Sequence, residues 1–273
     1  MTLPFSALAF DLDGTFLRSD HSYDQERFAR VLKQLTARGV KVAVASGDPA
    51  QIITRLFAPF LDQLTIVAEN GAHVLEKGTT TLTTPLDREL ATAVVKYLTS
   101  ELGIDPVLAG QRQGYFPPQA DAAFLDHMTF YYPDHQVLDS YLPLPEDNFF
   151  QLSFLVDDAA VPALQEDLTA KFSDRLVITP SGNGSMDLTT PGINKGWALK
   201  QLLAKWGQTG DDLIAFGDGG NDESMLKLAA YSYAMPNAMP AVKEWTKFEA
   251  LADNDHDGVL ATLEAYLSNE KEG

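Results

Sequence analysis

Apolar and polar positions along the first third of the chain fall into two alternating periods. Residues 8–10 close a short apolar run that stops at an acidic cluster, which predicts a buried strand. Between residues 23 and 38, Phe28, Val31, Leu32 and Leu35 recur on one helical face, and Gly39 stands where such a helix would end. Residues 40–45 (VKVAVA) predict a second strand, followed by a turn at Ser46, Gly47 and Asp48. Residues 51–57 predict a short helix. Residues 66–68 predict a third strand, closing at the turn signal Glu69-Asn70-Gly71. Strand, helix, strand, helix, strand is the order that a parallel, doubly wound sheet requires.

The pattern changes after about residue 82. Residues 86–103 have helical spacing, and 104–120 are rich in Gly, Gln and Pro. Residues 148–156 predict a strand, 161–172 a helix, and 176–179 and 185–188 two further strands. Near residue 190 the first pattern returns. Residues 195–206 predict a helix and 213–216 a strand ending in a second acidic turn; helices follow at 222–229 and 258–267. The predicted fold is α/β, a doubly wound parallel-sheet (Rossmann-like) core with an inserted α+β domain. The core is discontinuous, 1–82 and 189–273, and the insertion is 83–188. No internal repeat or low-complexity tract interrupts it.

Composition narrows the chemistry. The 273 residues, 45% of them hydrophobic, suffice to bury a core without staples, and there is no cysteine. Disulfides, thiolate metal sites and cysteine nucleophiles are therefore excluded, and a reducing, cytoplasmic location is expected. Twenty basic against 38 acidic residues give a net charge of −18. Such a surface repels nucleic acid and anionic lipid, so neither is an expected partner. The N-terminal residues lack the basic start of a secretory signal. No apolar run approaches the ~18 residues of a membrane-spanning helix. Nothing in the pattern sets an oligomeric state.

Against this acidic background, four element ends carry groups suited to phosphate chemistry. Asp11-Leu12-Asp13-Gly14-Thr15 follows the first strand. On an extended chain residues i and i+2 point the same way, so Asp11 and Asp13 are expected to share a site. Adjacent carboxylates need a cation, and hard oxygen ligands suit Mg²⁺. Gly217-Asp218-Gly219-Gly220-Asn221-Asp222 follows another strand and can supply a third carboxylate; its glycines suggest a flexible loop. Ser46 and Gly47 offer a hydroxyl and backbone N–H groups to a phosphate. Lys195 opens a helix, where a fixed charge and the helix end both favour an anion. Each feature alone is commonly a solvated turn or an exposed helix lysine; their ordered occurrence carries the reading.

These motifs, with Glu69-Asn70-Gly71-Ala72 and Asn194-Lys195-Gly196, resemble the haloacid dehalogenase superfamily, and within it the Cof-type sugar-phosphate phosphatases. The resemblance spans essentially the whole chain, and the insertion resembles the cap of that group, where selectivity resides. It implies a Mg²⁺-dependent phosphatase acting on small phosphorylated metabolites. Asp11 would be the nucleophile and Asp13 the general acid and base. Asp11, the Asp13 backbone carbonyl and Asp218 would hold the metal, with Asn221 and Asp222 in support. Ser46, Gly47, Lys195 and Asn221 would hold the phosphoryl group. Related sequences often carry a basic residue where this chain has Asp48; Asp48 either faces away or meets a donor such as a sugar hydroxyl. In the polar stretch 109–118, Gln111, Arg112 and Tyr115 are candidates for substrate contact.

Two rival functions share parts of the pattern. A phosphomutase would use the same nucleophile and return the phosphoryl group to the substrate. A non-catalytic metal- or metabolite-binding protein would have no need of the second acid, Asp13. One further motif competes for a metal. Asp253-Asn254-Asp255-His256-Asp257-Gly258 with Glu264 has the spacing of an EF-hand calcium loop. Such loops usually pair, and there is no second one, so Asp257 reads as a cap or turn residue. The five histidines show no shared ligand spacing. Tyr131-Tyr132 and Phe149-Phe150 read as packing residues.

Overall fold

The structure is a computed structural model that describes residues 3–172, 174–182 and 184–269. The chain begins with β1 (Ala7–Phe10), α1 (Gln25–Ala37), β2 (Lys41–Ala45), α2 (Ala50–Leu56) and β3 (Leu64–Ala68), followed by the strands β4 (His73–Glu76) and β5 (Thr79–Thr83). The middle carries α3 (Arg88–Tyr97), β6 (Val107–Gly110), β7 (Gly114–Phe116), α4 (Ala122–Tyr131) and β8 (His135–Val137). It continues through β9 (Phe149–Leu155), α5 (Val161–Phe172), β10 (Val177–Gly182) and β11 (Ser185–Thr189). The last third holds α6 (Lys195–Trp206), β12 (Leu213–Gly217), α7 (Glu223–Leu228) and β13 (Tyr231–Ala234), then α8 (Pro240–Trp245), β14 (Phe248–Glu249) and α9 (Gly258–Asn269).

The chain divides into two compact units. One comprises Met1–Gly47, Phe57–Thr81 and Asn194–Gly273; the other comprises Asp48–Leu56 and Leu82–Ile193. In the first unit the sheet order is β14-β13-β12-β1-β2-β3-β4-β5. β1 pairs in parallel with both β12 and β2, and β2 with β3, so their carboxyl ends share one edge. Central strands buried on both faces must be apolar throughout, and all four residues of β1 are buried. This is the doubly wound α/β sheet expected. One departure is the antiparallel pairing of β4 with β3. The turn after β4, Lys77-Gly78, has φ of 52° and 73°, the double left-handed turn that suits a two-residue hairpin.

Helix ends follow the capping rules. The Asp24 carboxylate accepts the Arg27 N–H at 2.9 Å and starts α1, which buries Phe28, Val31, Leu32 and Leu35. Asn194 caps α6 in the same way through the Trp197 N–H at 2.8 Å. Beneath the end of β1, Phe10 stacks on Phe16 with centroids 4.4 Å apart, and Phe28 meets Phe16 edge-on at 5.2 Å. This aromatic cluster anchors the segment that leaves β1.

The second unit holds a sheet of order β10-β11-β9-β6-β7-β8. Its pairings are antiparallel except for β7 with β8. Leu90, Val94, Leu108, Leu152, Leu168 and Leu188 belong to one buried cluster, and Val107, Ala109, Phe116 and Tyr132 form a second, packed with Phe124 and Met128 of α4. β6, β7 and α4 lie where the composition gave no strand or helix.

The EF-hand spacing is occupied by protein contacts. Asp257, at φ 54° just before α9, accepts Arg18 Nε and one terminal guanidinium nitrogen at 3.1 and 2.8 Å, and a terminal nitrogen of Arg27 at 3.2 Å. Glu264 takes Arg27 Nε at 3.0 Å and a terminal nitrogen at 2.7 Å. Asp255 takes the Ser19 N–H and hydroxyl at 2.7 and 2.9 Å, and Asp253 takes His256 Nδ1 at 2.6 Å. The Asn254 amide donates to the Leu17 carbonyl at 3.0 Å. The segment is a fastener for residues 17–27: Asp257 and Glu264 are spent on Arg18 and Arg27, and Asp255 and Asp253 on Ser19 and His256. Asp257→Ala is therefore expected to cost about 1–3 kcal/mol in urea unfolding. Ca²⁺ should shift the wild-type and variant midpoints equally. A Ca²⁺-dependent rise confined to the wild type would restore the calcium reading.

Candidate active site

Ligands of open α/β sheets bind beyond the carboxyl ends of the strands. At that edge Asp11 follows β1, Ser46 and Gly47 follow β2, Glu69-Asn70-Gly71 follow β3, and Asp218 follows β12. Backbone bonds tie these ends together. Asp11 N–H donates to the Phe216 carbonyl at 3.1 Å, Ser46 N–H to Val67 at 2.9 Å, and Asn70 N–H to Ser46 at 3.0 Å.

The centre is an ammonium between carboxylates. Lys195 is fully buried, and its Nζ lies 2.5 Å from Asp11 Oδ1 and 2.7 Å from Asp222 Oδ1. The second Asp222 oxygen accepts the N–H groups of Asp218 and Gly219, each at 3.0 Å. Asp222 thus has both oxygens engaged by the protein: one steadies Lys195, the other shapes the loop. Within the glycine-rich loop, Gly219 is tied to Asp222 by the second of these bonds. A Cβ on Gly217 would come within 2.6 Å of the Asp222 carboxyl carbon, which is why a glycine precedes Asp218. Asp222 also precedes α7 rather than opening it, because its side chain folds back over the loop.

Asp11, Asp218 and Asp222 bring carboxylate oxygens within 4.8 Å of one another. The Thr15 hydroxyl donates to Asp218 Oδ1 at 2.7 Å. Gly14 has φ +71°, and a Cβ there would stand 2.3 Å from Asp218 Oδ2, so glycine is required twice over. Asp13 is not part of this group. Its carboxylate is half-exposed and lies 3.3 Å from His21 Nδ1. The i, i+2 expectation assumed that the extended backbone continues past Phe10. Instead the N–H groups of Thr15, Phe16 and Leu17 all donate to the Leu12 carbonyl, so the backbone turns here and leaves the Asp13 carboxylate exposed, with its charge still acting on Asp218.

Asn221 donates from Nδ2 to Asn70 Oδ1 at 3.1 Å, beside half-buried Gly47 and buried Ser46. Asn237, which sequence reasoning did not single out, donates to the Gly14 carbonyl at 2.7 Å and accepts the Asn254 N–H at 3.3 Å. Nothing local marks it; only the fold brings it to the Asp11 segment. Half-buried Asp48 belongs to the second unit, with the start of α2.

In the second unit a cavity of about 490 Å³ is lined by Arg88, Gln111, Arg112, Asp147 and Asn148 among others. Gln111 accepts the Asn148 amide at 2.8 Å, and the Arg112 N–H meets Asp147 at 3.1 Å. Tyr115 is not a lining residue. It is buried in the core of this unit and donates its hydroxyl to Asp147 at 3.0 Å, so it positions that carboxylate.

Burial, reinforced by the Asp222 and Asp218 charges, pushes Asp11 upward, and Lys195 opposes that shift. Burial alone would lower Lys195; Asp11 and Asp222 more than reverse it, so the lysine stays charged. Burial pushes Asp218 up to about 6, the Thr15 hydroxyl opposes, and the Asp222 charge adds. Three carboxylates against one ammonium leave a net charge of −2 in a largely buried space when all are ionised. Oxygen donors with two surplus negative charges fit a hard divalent cation.

A family model for haloacid dehalogenase-like hydrolases matches residues 8–263. The chain belongs to that family. It is 33% identical, over 96% of both chains, to a protein of Escherichia coli (strain K12) named 5-amino-6-(5-phospho-D-ribitylamino)uracil phosphatase YbjI. It is 29% identical to the HMP-PP phosphatase of Cronobacter sakazakii, over 85% of this chain and 84% of that one. Among solved structures, SMU.1108c from Streptococcus mutans UA159 superposes with a TM-score of 0.89 at 39% identity, covering 97% of this chain and 99% of that one. Membership of this family and relatives named as phosphatases make the chain an enzyme, a phosphatase. No helix among the described residues is long and apolar enough to cross a membrane.

The raised Asp218 carboxyl has a stability consequence. Between about pH 4 and 6 the folded chain retains a proton that the unfolded chain has lost, so stability falls as pH rises across that window. Urea midpoints measured in EDTA at pH 4, 5 and 6 should therefore decline more steeply for the wild type than for Asp218→Asn. Equal slopes would mean that Asp218 ionises normally.

Proposed function

We propose that the chain hydrolyses small phosphate monoesters, sugar phosphates or related metabolites, through an aspartyl-phosphate on Asp11, with Mg²⁺ as its cofactor. The observation that carries the reading is the buried Lys195 bridging Asp11 and Asp222, with Asp218 alongside. Lys195 opposes the upward shift that burial and the neighbouring acids impose on Asp11, and so favours the ionised form that a nucleophile requires. The surplus negative charge is what a divalent cation would neutralise. Asp11, Asp218 and the Asp13 carbonyl would hold Mg²⁺, with Asp222 and Asn221 supporting from behind. When bound, the ion supplies charge neutralisation for an anionic substrate.

An Asp11 oxygen forms a bond to phosphorus as the bond to the leaving oxygen breaks, and Asp13 gives that oxygen a proton. Asp13 then takes a proton from water as the water oxygen bonds to phosphorus and the Asp11–phosphorus bond breaks. Its exposed position suits an acid and base that exchanges protons with solvent. Ser46, the Gly47 N–H, Lys195 and Asn221 hold the phosphoryl oxygens. Phosphoryl transfer depends mainly on such positioning and charge neutralisation. The Escherichia coli relative is named for a phosphoribitylamino-uracil, which supports a small phosphorylated metabolite as substrate. We assign selectivity to the second unit, where Gln111 and Arg112 line the cavity, and to Asp48.

Phosphate release from p-nitrophenyl phosphate and a panel of sugar and sugar-alcohol phosphates tests this. Release should require Mg²⁺, stop in EDTA, and fall by at least about 10³-fold in Asp11→Asn, a loss typical of removing a nucleophile. Release that survives the loss of Asp11 would sink the mechanism. Isomerised product without free phosphate would turn the reading toward a mutase.

A further inference from the structure

The turn after β3 is held in a conformation that L-residues avoid. Glu69 and Asn70 both have φ of 52°, and Gly71 follows at 102°. Among the described residues this is the one place where two consecutive non-glycine residues are left-handed. Steric clash makes that unfavourable, and such strain persists where the surrounding structure imposes it, often at functional sites. Here the surroundings are the proposed phosphoryl pocket. Asn70 N–H is bonded to the Ser46 carbonyl at 3.0 Å, and a Cβ on Gly71 would stand 2.4 Å from the carbonyl of Asn194, the residue before Lys195. The turn is thus wedged between the end of β2 and the start of the lysine helix.

The side chain it projects is fixed as well. Asn70 Oδ1 accepts from Asn221 at 3.1 Å. The amide as a whole lies over Gly47: a Cβ there would be 3.2 Å from Asn70 Nδ2 and 3.3 Å from Oδ1. With Oδ1 committed to Asn221, Nδ2 is the donor left beside the Ser46-Gly47 backbone. We propose that Asn70 is a phosphate-binding residue: Nδ2 donates to a non-bridging oxygen of the phosphate monoester held at Ser46 and Gly47, and the strained turn is kept because it places that donor. This rests on the phosphatase reading and adds to it a residue that the nucleophile, metal and lysine motifs do not supply.

A turn-shaping role and a binding role respond oppositely to Asn70→Gly, because glycine suits φ of 52° and removes the donor. We expect Asn70→Gly to keep or raise Tm, lower kcat/KM for p-nitrophenyl phosphate by about tenfold, and weaken competitive inhibition by inorganic phosphate similarly. Lys77→Gly relieves the same φ of 52° in the β4–β5 turn and should leave kinetics unchanged. Asn70→Asp, which keeps the side-chain size and replaces the donor by an acceptor, should also lose phosphate inhibition. Wild-type kinetics and phosphate inhibition in both Asn70 variants would overturn the proposal. A wild-type chain without phosphatase activity would instead overturn the reading beneath it. Calorimetric titration with inorganic phosphate would then judge Asn70 alone, with equal affinity of wild type and Asn70→Gly counting against it.

Discussion

The Lys195 ammonium, buried between the Asp11 and Asp222 carboxylates, is the interaction on which the site depends. Removing an ammonium and two carboxylates from water costs several kcal/mol per ion, and only close, well-directed pairing offsets it. That requirement accounts for much of the local sequence. Asn194 caps α6 so that Lys195 enters at a fixed point. Gly217 leaves room for the Asp222 carboxylate, which in turn holds the Asp218 backbone. Gly14 leaves room for Asp218 itself. The arrangement still lacks positive charge, and this deficit favours a bound cation over a merely structural salt bridge.

The parallel sheet delivers these groups to one edge, and two fasteners hold the segment after β1 in place. Below it, Phe10, Phe16 and Phe28 bury the turn in an aromatic cluster. Beside it, Asn237, Asn254, Asp255 and Asp257 bond Gly14, Leu17, Ser19 and Arg18 in succession. The sequence that imitates a calcium loop is therefore part of the scaffold of the Asp11 segment. A chain of net charge −18 can spare acids for this because each is met by a specific donor.

The central sheet, the helices α1, α5 and α6, and the meeting of Asp11, Asp218 and Lys195 at one sheet edge were legible in the chain, because strand-terminal acids and a capped helix are local signals. The exposure of Asp13 was not legible, because hydrophobic pattern locates a strand but not the turn that ends it. Asp222 stands with Asp11 and Asp218, as expected of a metal-site acid, and also engages Lys195 and the backbone, which no local pattern showed because it depends on side-chain direction. The strands β6 and β7 are four and three residues long and sit in Gly- and Gln-rich sequence, too short for a period to register. Asn70 had a signal, the Asn-Gly pair closing β3; Asn237 had none, since its partner lies more than two hundred residues away.

The most direct test of the account is to catch the phosphoryl group on the protein. The chain would be mixed with phosphoryl-labelled substrate, quenched in acid within one turnover and digested, and the labelled peptide identified. The account predicts an acyl phosphate on Asp11, released by hydroxylamine and absent from Asp11→Asn. Label on another residue, or no label on a chain that is turning over substrate, would contradict it.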